Sequence, residues 1–108
     1  MFSLKIIRLY KFLCEEKKEY VLSKQVLRSG TAIGALVRES EHAESKPDFI
    51  HKMGIALKEA NETEYWLELL FKSEYIGRME FESMQKDIQE ILKLLISIIK
   101  SSKSLNSL

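Results

Sequence analysis

The chain has 108 residues, 45% apolar and 31% charged, with a formal net charge of +1. That length makes one domain able to bury a core without disulfide or metal staples. The balanced charge removes the usual argument for a nucleic-acid-binding domain and leaves room only for a local basic patch. Cys14 is the single cysteine, which excludes an internal disulfide framework and points to a reducing, cytoplasmic setting. The opening stretch MFSLKIIRLYKFL is interrupted by Lys5, Arg8 and Lys11, so it does not read as a signal peptide. The most apolar run, Ile91 to Ile99, is nine residues long and contains Lys93. A bilayer span needs roughly 20 apolar residues, so this run is expected in a buried helix.

Four glycines and one proline leave few turn signals, which favours few, long elements. The first helix carries Phe2, Ile6, Leu9, Tyr10 and Leu13 at helical spacing and ends in the charged run Glu15 to Glu19. The second carries Leu22, Val26, Ser29, Ile33, Leu36 and Val37. The third opens with Ser45 as N-cap, Pro47 in the first turn and Asp48 three residues after the cap. Its core stripe runs through Phe49, Met53, Ala56, Leu57, Ala60, Thr63, Leu67, Leu70 and Phe71, and Gly77 marks the break that follows. The fourth carries Phe81, Met84, Ile88, Ile91, Leu92, Leu95, Ile98 and Ile99. No strand-like alternation occurs, and short connections make successive helices antiparallel neighbours. The expected fold is therefore an all-α, up-down-up-down antiparallel four-helix bundle over residues 1–101, with a disordered or frayed tail at 102–108.

The third helix has apolar residues on more than one face. Ile55, Trp66 and Leu69 fall roughly 110–170° from the centre of its core stripe, and Glu59 and Glu62 lie on the same side. A lone bundle would leave this row in water, so Ile55, Glu59, Glu62, Trp66 and Leu69 are the candidate oligomer interface. Scattered exposed hydrophobes are the ordinary alternative. The second helix carries the small-residue run Ser29-Gly30-Thr31-Ala32-Ile33-Gly34-Ala35. A glycine inside a helix costs roughly 1 kcal/mol against alanine, so close approach of a neighbouring helix is expected there, with a kink as the alternative.

Candidate chemistry is sparse. Glu39-x-x-His42 and Asp48-x-x-His51 share the spacing of di-iron bundles, but helical geometry turns them off the core. Inward carboxylates or histidines are missing from the first and last helices, so no metal, cofactor or catalytic residue is assigned. Antiparallel pairing sets Arg28 level with Glu59 and Glu62, a cross-helix ion pair that fixes register. Arg8, Lys24, Arg28 and Arg38 are the candidate nucleic-acid-binding residues. Several copies in a ring can gather such cations at small net charge, because the field depends on arrangement.

The stretch from Ser23 to Leu70 resembles the four-helix-bundle proteins of the 23S rRNA intervening-sequence type. The resemblance is carried by Leu27-Arg28-Ser29-Gly30, Ile33-Gly34-Ala35, Asp48-Phe49, Lys58-Glu59-Ala60 and Glu62 to Leu67, and it covers about residues 5–100. Leu36 departs from it, since the family often has Asn after the small residues. The resemblance implies an up-down bundle that assembles as a ring-like homopentamer without enzymatic activity. It also implies kinship with an accessory protein of diversity-generating retroelements, which binds reverse transcriptase and nucleic acid through a basic surface. The expected role is an RNA- or nucleoprotein-associated accessory module, whose partners are itself and RNA or a nucleoprotein, with no membrane. The alternative is a structural scaffold or protein-interaction module that does not bind nucleic acid.

Overall fold

A computed structural model describes residues 1–106. Four helices follow one another: α1 (Phe2–Glu15), α2 (Leu22–Ser40), α3 (Lys46–Lys72) and α4 (Arg78–Asn106). Successive helices are antiparallel and packed along their lengths, which gives the expected four-helix bundle.

Each boundary has a local cause. Lys18 adopts a left-handed conformation with φ 53 between α1 and α2. The Glu19 carboxylate then accepts from the backbone N–H groups of Val21, Leu22 and Ser23, at 3.2, 3.0 and 2.7 Å. It satisfies donors that the first turn of α2 cannot pair internally. The charged run is thus a built cap as well as a solvated end. Ser45 caps α3 as expected: its hydroxyl accepts from the Asp48 N–H at 3.2 Å, with proline in the first turn. Between α3 and α4 the left-handed residue is Glu74, φ 67, and not Gly77. Gly77 precedes Arg78 and leaves room for the Glu80 carboxylate, which lies 2.8 Å from where a Cβ would stand.

Residues 102–106 continue α4, whose last residue is Asn106; residues 107 and 108 lie outside the described residues. Neither glycine nor proline interrupts this stretch, so the backbone ladder runs on beyond the last packed isoleucines.

Core residues come from all four helices. Ile6 and Leu13, Val26 and Ile33, Met53, Ala56, Ala60, Leu67 and Leu70, then Phe81, Met84, Ile88 and Leu95 are buried, joined by Ile76 from the last turn. Phe71 and Phe81 stack at 4.4 Å across the α3–α4 hairpin. One layer is polar. Ser29 and Thr63 are both fully buried, and their hydroxyls lie 2.9 Å apart. Thr63 also reaches the Glu59 carbonyl at 2.8 Å. With one proton to give, Thr63 can donate to that carbonyl while Ser29 donates to Thr63.

The two glycines of the small-residue run on α2 face α1. A Cβ on Gly30 would stand 2.8–2.9 Å from three side-chain carbons of Ile6, and one on Gly34 would stand 3.1 Å from Ser3 Oγ. Close helix approach, and not a kink, explains these two glycines. Leu36, at the position where the family often has Asn, is half-buried against the core.

Candidate functional site

The candidate residues do not form one site. Arg28 stands on the exposed edge of α2 and pairs with Glu59 at 2.9 Å and with Glu62, as the antiparallel register required. Partial burial tends to lower the Arg28 guanidinium, but the hydrogen bond to Glu62 and the two negative charges outweigh it. They hold Arg28 above its ordinary value. Its charge is already spent on two carboxylates. Arg38 lies in the last turn of α2, favourably placed against the helix dipole. It lines a cleft with Glu39, His42, Glu44 and Asp48, so its surroundings are mixed in sign. Arg8 on α1 and Lys24 on α2 are exposed and have no ion pair among the described residues. The four cations are therefore dispersed along the molecule.

The residues with metal-like spacing meet only in part. Glu39, His42 and Asp48 line the cleft at the α2–α3 turn, while His51 is exposed on α3. Asp48 is occupied: it accepts from the Glu44 N–H at 3.1 Å and lies 3.9 Å from Lys52. Among the described residues no three His, Cys, Asp or Glu side chains are placed to share a metal ion.

The candidate interface row on α3 is partly enclosed by its own chain. Ile55 is 36% exposed, but Trp66 packs half-buried against the core and Leu69 is half-buried as well. The indole Nε1 of Trp66 is buried without a hydrogen-bond partner among the described residues. Tyr65 beside it is 54% exposed and meets the indole edge-on at 5.1 Å. The helical wheel places Trp66 well off the core, yet α3 is flanked by both α2 and α4, which widens the buried arc beyond one stripe.

Residue patterns gave no hint of the seam between α1 and α4. These two helices do not pack closely. They are held by Lys5, which donates to Ser83 at 3.0 Å and pairs with Asp87. Phe12, Met79 and Leu94 are exposed around this seam. In sequence they look like isolated surface hydrophobes; the seam brings Phe12 and Met79 to one cleft, while Leu94 lines another beyond Lys5. On the other side of α1 the Cys14 thiol lies 3.7 Å from Ser23 Oγ. Its contact with Tyr10 raises the phenol pKa.

Together these features define a compact helical bundle whose polar clusters are structural ion pairs and caps. The chain belongs to the 23S rRNA-intervening sequence protein family, whose model matches residues 1–97. It is similar to a solved structure from Bacteroides thetaiotaomicron, described as a protein of unknown function from the S23 ribosomal protein family. That chain is 65% identical; the match covers 92% of each chain with a TM-score of 0.91. No curated protein matches. Among the described residues no helix is long and apolar enough to cross a membrane.

Proposed function

We propose that this protein is a non-enzymatic, self-assembling helical bundle that acts in the cytoplasm as an accessory to RNA or a nucleoprotein. The observation that carries the reading is membership in a family named for intervening sequences of 23S rRNA. Arg8 and Lys24 support it, because they are exposed cations with no carboxylate partner among the described residues. In a homopentamer each would recur five times around a ring, which raises the local field despite the small net charge. The exposed Ile55 and Tyr65 support assembly through the outer side of α3.

The test is binding of structured RNA across a salt series. Each phosphate neutralised lowers the log–log slope by about 0.9 on duplexes and about 0.7 on single strands. A steep slope that flattens in Arg8→Ala and Lys24→Ala supports RNA association. A specific observation favours the second reading, a scaffold without nucleic acid: Arg28 is neutralised and Arg38 sits among carboxylates. Absence of salt-dependent binding by the intact assembly selects that reading.

A further inference from the structure

The α1–α4 seam contains a cleft of about 780 Å³. Leu9 and Phe12 from α1 and Ile76, Met79 and Met84 from the α4 side supply its apolar lining. Ile76 and Met84 belong to the core, whereas Phe12 is 40% and Met79 84% exposed. The floor is thus fixed, and the rim is an aromatic ring and a pliable thioether.

The lining runs between two limits along the seam. Lys5, tied to Ser83 and Asp87, bounds one end. The turn from Ile76 to Arg78 bounds the other. Along α1, Lys5 to Phe12 spans about 10 Å at 1.5 Å per residue. That is about two helical turns, too short for an amphipathic helix to lie in, while the volume falls within the small-ligand range.

Its charges are asymmetric. Arg8 is exposed and unpaired among the described residues. Arg78 lies 3.6 Å from Glu82 and 5.4 Å from the Phe71 ring centre, with its side chain 73% exposed. The carboxylate in the lining, Glu80, is turned back against Gly77. The cleft therefore offers an apolar trough with one unpaired cation among the described residues, Arg8, at its mouth, and beside it Arg78, which Glu82 holds in part. A highly charged polymer gains nothing from the trough, and a neutral apolar molecule gains nothing from the arginines. We propose that this cleft binds a single-chain fatty carboxylate, its tail among Leu9, Phe12, Ile76 and Met84 and its carboxylate at the mouth where Arg8 and Arg78 stand. This site shares Arg8 with the RNA reading but does not rest on it, and its test contains no nucleic acid.

The experiment is calorimetric titration of the full chain with octanoate, nonanoate and decanoate below their micelle concentrations, with decyltrimethylammonium as the cationic control. The expected result is saturable binding of one molecule per chain, with affinity rising about fourfold per methylene. The carboxylate should bind at least fivefold tighter than the cation. Arg8→Gln with Arg78→Gln should erase that preference while weak binding of the tail survives. Ser83→Phe, at an exposed position on the lining, should fill the trough and abolish binding with the helical circular dichroism unchanged. Non-saturable uptake, no dependence on chain length, equal binding of the cation, or indifference to both variants overturns the proposal. So does absence of binding in a protein whose oligomers dissociate on Met79→Glu, which gives the cleft to a second copy of the chain.

Discussion

Alanine substituted at Gly30 and at Gly54 should change stability in opposite directions. Both glycines lie inside long helices, so intrinsic propensity alone predicts a gain of roughly 1 kcal/mol at each. At Gly54 nothing lies within 4 Å of the added Cβ, so the gain should stand. At Gly30 the Cβ would meet Cδ1, Cγ1 and Cγ2 of Ile6 at 2.8, 2.8 and 2.9 Å. Ile6 is fully buried and β-branched, and all its branches are involved, so no single rotamer change clears the contact. Relief requires α1 to move as a body away from α2. Overpacking of this kind costs about 1–3 kcal/mol. Set against the propensity gain, the net loss at Gly30 should be about 0–2 kcal/mol, and the two variants should differ by about 1–3 kcal/mol. A difference of 1 kcal/mol moves the midpoint of a domain this size by about 4–8 °C. The assay is thermal and denaturant unfolding at one fixed protein concentration, because assembly contributes to apparent stability. Ile6→Ala added to Gly30→Ala should show a favourable coupling of at least about 0.5 kcal/mol. Equal stability of Gly30→Ala and Gly54→Ala, with no coupling to Ile6, would refute the packing argument.

Arg28→Glu should cost no more than about 1 kcal/mol, since the pair is solvent-screened, and double reversal with Glu62→Arg should recover part of it in denaturant unfolding. Thr63→Val should cost about 1–3 kcal/mol by stranding the buried Ser29 hydroxyl, whereas adding Ser29→Ala should soften the loss. Ile55→Glu, on the outer side of α3, should yield smaller species in light scattering with unchanged helix content; an unchanged oligomer removes that face from the interface. Glu19→Ala should destabilise the start of α2 by about 1 kcal/mol, read as faster amide exchange at Val21, Leu22 and Ser23.

Much of this molecule follows from local chemistry. The spacing of apolar residues determines four helices, Ser45, Pro47 and Asp48 determine where α3 begins, and short connections make the helices antiparallel neighbours. That register also pairs Arg28 with Glu59 and Glu62, because antiparallel helices joined by a short turn must meet at mirrored distances from it. The family likeness is carried by the same hairpin residues. Periodicity could not say which helix would press on Gly30, because a small residue marks a close approach without naming the neighbour; packing assigns Ile6 of α1. Nor could it tell that Trp66 is half enclosed, since burial on α3 depends on the width of two flanking helices. The left-handed turn residue at Glu74 was hidden because glycine at 77 is the stronger local signal, yet chain closure between α3 and α4 sets the angle elsewhere. The α1–α4 cleft was invisible for the same reason. Sequence determines which residues share a helix face; how far apart two non-adjacent helices stand is decided only when all four pack together.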